Sequence, residues 1–339
     1  MGNTLRNYSH VLNLALEPWA LTKPMVATIA HVLAHHLAGK ALDLGSFDRR
    51  EPAALSLTPA APPADGQAGA GIAIVPIHGV IAPRITAFDD FSGGSSFEQA
   101  KIDVRKALAH AGVGTIVLDI DSPGGSVLGA SEFAHFLLKA REQKRIVAAG
   151  NFVMASAAYW IGACATECVW APSTMGGSIG VYTIHEDLTA MLADLGVKLT
   201  YISAGKWKVD SIDGTELTEA GEARLKKQVE AHYTRFITDV ATGRKVTADA
   251  VRTGFGEGAI VTADDALALG MIDRIETLDE TLARLAASAP PANPLVPIGA
   301  LASDPPPVAT SQELPPAATD QERAQLHREI ASALVALDL

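Results

Sequence analysis

Apolar and polar positions divide the chain into three stretches. From residue 69 to 288, short apolar runs alternate with longer segments of helical periodicity, the mark of repeated β-α units around a mainly parallel sheet. The apolar runs predict strands at 72–77, 114–120, 145–150, 168–171 and 198–202. Between them, apolar residues at three- and four-residue spacing predict helices at 96–111, 129–141, 155–165 and 186–195. A long amphipathic helix follows over 218–242, opened by Thr218 as N-cap. Residues 1–68 form a separate segment with a predicted helix at 23–42 and a linker of small residues and prolines. From 289 to 339 the chain is Pro- and Ala-rich, which predicts a disordered tether ending in a short helix at 320–337. The fold class is therefore α/β, with a helical N-terminal segment and a Pro-rich C-terminal tail.

Composition narrows the classes. The 339 residues are 48% hydrophobic and 19% charged, as in a packed globular protein. A formal net charge of −11 argues against a nucleic-acid binder, which needs clustered Lys and Arg. The one basic cluster, Lys139, Arg141, Lys144 and Arg145, reads as the solvated face and end of a helix. Cys164 and Cys168 have no His or further Cys nearby, so they read as buried free thiols in a reducing compartment. His31, His35 and His36 lie on the predicted N-terminal helix without nearby carboxylates, and read as helix surface rather than a metal site. No apolar run reaches about 18 residues, so no membrane span is expected. The N-terminus lacks a charged region followed by an apolar core, and Arg6 spoils a myristoylation motif at Gly2. These features predict a soluble cytoplasmic protein.

Four motifs carry candidate chemistry. In Asp119-Ile-Asp-Ser-Pro-Gly-Gly-Ser, a buried strand runs into Gly124 and Gly125 ahead of a helix. Amides at such a strand-to-helix turn can hold an oxyanion forming on an attacked carbonyl, although Pro-Gly-Gly also makes ordinary turns. Ser156, in Ala155-Ser-Ala-Ala-Tyr, follows a strand at a helix start, where it is either an N-cap or a nucleophile. Thr174-Met-Gly-Gly-Ser-Ile-Gly-Val-Tyr reads as a Gly-rich turn without the Gly-Lys-Ser/Thr ending of a phosphate-binding loop. Its Ser178 either orients a catalytic amine or bonds its own backbone. Gly205-Lys-Trp-Lys offers Lys206 and Lys208 beside Trp207. A Lys serves as general base only if apolar burial lowers its pKa by about three units from 10.4. Two Lys beside a Trp otherwise form a solvated loop.

Together, in this order, the four motifs resemble the signal peptide peptidase A family of Ser-Lys peptidases, over residues 70–280. The closing Gly270-Met-Ile-Asp-Arg-Ile, after the Ala-rich 263–269, fits the same pattern. The resemblance implies the fold shared by ClpP and crotonase. It matches Ser156 to the nucleophile, Lys208 rather than Lys206 to the base, Gly125 to the oxyanion glycine, and Ser178 to the hydroxyl supporting the lysine. It implies no metal or organic cofactor. The segment around Ala15-Leu-Glu-Pro-Trp-Ala-Leu-Thr resembles the phage branch, the head-maturation (capsid protein C-like) proteases. That likeness implies protein substrates among scaffold and head proteins. It also implies a homo-oligomer whose sites take Ser and Lys from neighbouring subunits.

Three other readings stand beside this one. A Ser-His-Asp triad would draw on His78, His110, His135 or His185. A scaffold or capsid component of the same fold would have lost the chemistry. A crotonase-type acyl-CoA enzyme would leave Ser156 and Lys208 without a role.

Overall fold

The computed structural model describes residues 19–21, 56–58, 71–84, 94–194, 196–212 and 214–288. The predicted helices at 23–42 and 320–337, the linker, the tail and the His31, His35, His36 group lie outside these residues. The chain divides into two compact units, Met1–Leu295 and Val296–Leu339, the second wholly outside the described residues.

In chain order the strands are β1 (Trp19–Leu21), β2 (Ser56–Thr58), β3 (Gly71–His78), β4 (Ile81–Ala82) and β5 (Ser95–Ser96). Helix α1 (Phe97–Ala109) precedes β6 (Val113–Ser122) and β7 (Gly124–Ser126), and α2 (Ala130–Ala140) leads to β8 (Arg145–Ala155). After α3 (Ala157–Gly162) come β9 (Glu167–Trp170), β10 (Met175–Gly177), α4 (Thr189–Asp194) and the long α5 (Glu219–Arg244). The chain continues through α6 (Ala248–Gly254), β11 (Ile260–Thr262), α7 (Ala263–Ala268), β12 (Arg274–Ile275) and α8 (Leu278–Ala287).

The larger sheet runs β11-β10-β8-β6-β3-β2, with β3, β6, β8 and β10 parallel. Strand β8 forks: Val147–Gly150 pair with β9, whereas Val153–Ala155 pair with β10. Its central strands are buried runs such as Ile116, Val117 and Leu118, as parallel strands covered on both faces require. A smaller sheet, β1-β7-β4-β5, stands beside it. The predicted α/β class with a mainly parallel sheet is observed. Side chains accept the N-cap bonds that start α1 and α5, at Ser96 (from the Gln99 amide, 3.0 Å) and Thr218 (from the Gly221 amide, 3.0 Å).

Several expectations change. Residues 198–202 are not a strand: they join no sheet among the described residues, and Ile202 is 97% exposed. An apolar strand needs both ladder partners and a covered face, and a single chain supplies neither here. The Gly-rich 175–177 is not a turn but strand β10, held between β8 and β11. Gly124 and Gly125 likewise lie in strand β7, and the turn into α2 comes later, at Gly129. The basic cluster is not simply solvated. Arg141 donates to the carbonyls of Ala165 (2.9 Å) and Gly243 (3.2 Å), and Lys144 to those of Ala107 (3.0 Å) and His110 (2.7 Å). These cations staple helix ends whose last carbonyls lack internal partners. Cys164 and Cys168 are buried free thiols, and burial pushes Cys168 up to about 12. Among the described residues no helix is long and apolar enough to cross a membrane.

Candidate active site

Strand β8 ends at Ala155 and helix α3 begins at Ala157, so a single residue, Ser156, turns the chain from one to the other. The turn forces φ 54° and ψ −121°, a region closed to most L-residues, at a cost of about 1–3 kcal/mol. Backbone bonds hold it there. The Ser156 amide donates to Gly177 O at 2.7 Å, and Ser156 O accepts from the Trp160 amide at 2.8 Å. Ala155, Ala157 and Ala158 are fully buried and small, which lets the surrounding strands close on the elbow. Although Ser156 stands at the N-cap position, its side chain makes no cap bond. Its Oγ is shielded from solvent and has no hydrogen-bond partner. A buried unpaired hydroxyl costs about 1–3 kcal/mol. Strain and an unsatisfied hydroxyl thus coincide at this one residue.

Strand β7 lies alongside. Helix α3 packs against it, and Ser122, just before β7, pairs with Met154, two residues ahead of the elbow. The Gly124 amide donates to Ser122 Oγ (3.1 Å). A Cβ on Gly125 would lie 1.8 Å from Ile81 O of β4, so no other residue fits. Ser178 follows β10 with φ 50°, and its amide donates to Ala259 O at 2.8 Å. It thus sits one residue beyond the carbonyl that fixes Ser156. Ser156, the two glycines and Ser178 are gathered into one region.

Lys208 is not brought to them within a single chain. It lies exposed in a turn spanning 206–211, and no hydrogen bond or ion pair joins it to Ser156. Trp207 is packed by cations instead, with Lys206 Nζ 4.4 Å and the Arg224 guanidinium 5.3 Å from its ring centre. Val197, Leu199, Tyr201, Ile202 and Trp207 leave the surrounding stretch apolar and uncovered.

None of the four histidines bonds to Ser156 Oγ. His135 pairs with Asp239 (3.1 Å), His110 Nδ1 accepts from the Gly112 amide (3.1 Å), and His185 Nε2 meets Thr215 O (2.8 Å). His78 Nε2 contacts Asp119 Oδ2 at 3.2 Å, and Asn151 donates to the other Asp119 oxygen. The Asp119 hydrogen bond raises the His78 pKa, opposed by burial and aided by the charges of Asp119 and Asp121. Folded His78 therefore holds its proton to higher pH than the unfolded chain does. Its contribution to stability is full below about pH 6.5 and is lost as pH rises through the folded value. His78→Gln is expected to flatten that part of the stability curve, read by urea unfolding at a series of pH values. An unchanged pH slope rules the pair out as its source.

Sequence reasoning passed over Asp239, because an acid in the middle of an amphipathic helix looks solvated. It is buried on α5 and accepts from Ser131 Oγ (2.7 Å) on α2 and from Trp160 Nε1 (2.9 Å) on α3. Trp160 also stacks on Phe236, with centroids 4.3 Å apart. The elbow helix is thus tied to α5 from within the core. Spacing of Asp239 by three from Phe236 on the apolar face was the available signal.

Comparison with known proteins agrees with the motifs. Residues 139–290 match Peptidase family S49. The Head-tail preconnector protein GP5 of Enterobacteria phage P21 is 29% identical over 216 residues, 64% of this chain and 43% of that protein. Capsid assembly protease C of Escherichia phage lambda is 27% identical over 205 residues, 60% of this chain and 46% of that protein. Protease 4 of Salmonella typhi is 30% identical over 225 residues, 66% of this chain and 35% of that protein. The chain spans less than half the length of each of these relatives. A mutant ClpP1 from Listeria monocytogenes superposes with a TM-score of 0.38 at 13% identity, covering 60% of this chain and 91% of that one. Across residues 139–290 this chain is therefore similar to Peptidase family S49.

Proposed function

We propose that this protein is a serine endopeptidase that uses Ser156 as nucleophile and Lys208 as general base, and that it trims scaffold and head proteins during phage head assembly. The observation that carries the reading is Ser156 itself: a strained strand-to-helix elbow with a buried hydroxyl that bonds to nothing. Neutral Lys208 takes the Ser156 proton as Oγ attacks the peptide carbonyl, and the Gly125 amide holds the oxyanion. The C–N bond then breaks as Lys208 returns the proton to the leaving amine. Water, deprotonated by the same lysine, releases the acyl group and restores Ser156. The scheme needs neither a metal nor an organic cofactor. In this scheme Ser178 supports the lysine amine. The names of the phage P21 and lambda relatives support the assembly role, within host cytoplasm or at the prohead.

Lys208 is exposed in the single chain, within an uncovered apolar stretch. A second copy of the chain covering that stretch would supply the burial that a neutral lysine requires. The site is therefore shared between subunits of a homo-oligomer. Ser156→Ala and Lys208→Ala are each expected to be inactive alone, and mixing them with subunit exchange to restore about one quarter of wild-type activity. Exchange without recovery places both residues in one subunit. Activity retained in Lys208→Ala alone removes the lysine from the mechanism.

A further inference from the structure

Strand β7 has two edges. One runs parallel to β4, through the pair Ile81↔Gly125. The other is taken by the chain's own N-terminal strand β1, antiparallel, with Trp19 opposite Ser126, Ala20 opposite Gly125 and Leu21 opposite Gly124. Sequence reading had no reason to expect this, since it placed the first strand at 72. Without β1, β7 would present unpaired amides and carbonyls beside the Ser156 elbow, against which α3 packs it. Such an edge is a docking site for an extended peptide, whose main-chain bonds supply affinity without demanding a sequence. A peptide substrate aligned on Gly125 needs the same row of backbone groups that β1 already holds. Ser156 Oγ itself is shielded from solvent. Pro18 immediately before the strand and Pro24 three residues after it lack amide hydrogens and can donate no ladder bond. A three-residue ladder is short enough to be displaced.

We infer that residues 19–21 are an autoinhibitory strand, seated in the peptide-binding edge of β7 and displaced by the substrate. This rests on the peptidase reading above and adds its regulation. An occupant seated nine-tenths of the time reduces apparent substrate affinity about tenfold.

The test uses the full chain and the double variant Ala20→Pro/Leu21→Pro. Successive amides of a strand point to opposite sides, so one of the two substitutions removes a hydrogen aimed at β7. Three readouts are taken: the rate at which a fluorophosphonate labels Ser156, kcat/KM on a denatured protein substrate, and hydrogen exchange of the Gly125 and Ser126 amides in a Ser156→Ala background. Expected are labelling and kcat/KM raised about tenfold, mainly through KM, with faster exchange at whichever of the two amides faces β1. A free peptide of residues 16–24 should inhibit the double variant competitively. Equal labelling and equal kcat/KM in the two proteins overturn the autoinhibitory strand and leave the peptidase intact. Exchange unchanged by the prolines shows that β1 does not protect β7, and overturns it independently of activity. No Ser156-dependent labelling in either protein defeats the peptidase reading, and the inference with it.

Discussion

Replacing Ser156 with alanine is expected to lower peptide-bond hydrolysis by roughly 10⁵- to 10⁶-fold, as loss of a nucleophile does elsewhere, and at the same time to stabilise the fold. The second half separates the two meanings of a serine at a helix start. A capping serine donates stability, and its removal costs about 1 kcal/mol. Ser156 bonds to no amide of α3, and its hydroxyl is buried unpaired, so alanine relieves a desolvation penalty. The expected gain is up to about 1 kcal/mol, the usual sign when a residue kept for chemistry is removed. Denaturant unfolding beside hydrolysis of a denatured protein substrate reads both effects. A loss of stability of about 1 kcal/mol with activity intact returns Ser156 to the role of a cap.

Asp239→Ala is expected to destabilise the fold by about 3 kcal/mol or more, the largest stability effect of a single polar substitution in the described core. The carboxylate takes hydrogen bonds from Ser131 and Trp160 and lies against His135 Nε2, so alanine strands several polar groups at once. Two of these groups lie on α2 and one on the helix that Ser156 opens. Loosening Trp160 should therefore also blur the elbow and lower kcat. Asp239→Asn keeps an oxygen for Trp160 and Ser131, and should cost only about 1 kcal/mol. Urea midpoints at fixed protein concentration, with m unchanged, measure the difference. A cost below about 1 kcal/mol for the alanine variant would falsify the anchoring role.

Periodicity located the elements whose partners are close in sequence or wholly buried. Strands β3, β6, β8 and β9, helices α1 and α2, and Thr218 at the head of α5 fall where the apolar pattern places them. It failed where pairing is decided at long range. Met175-Gly-Gly and Gly124-Gly-Ser carry turn residues, yet both are strands because neighbouring strands come close enough to pair with bare backbone. Residues 198–202 have a strand's composition but pair with no strand among the described residues, and they stay exposed.

The same division runs through Ser156. By itself the sequence determined that a small-residue Ser motif follows a strand and precedes a helix, in order with the Gly-Gly, Gly-Ser-Ile-Gly and Gly-Lys-Trp-Lys motifs. It left open whether the hydroxyl caps that helix. Only the tertiary structure decided this, because hydrogen bonding depends on where the parallel β10 places Gly177 O and how sharply the chain turns there. It also decided that β1 lies on β7, and that Lys208 faces outward in the single chain. Local spacing carries no information about contacts between segments a hundred residues apart, where backbone pairing and burial choose the partner.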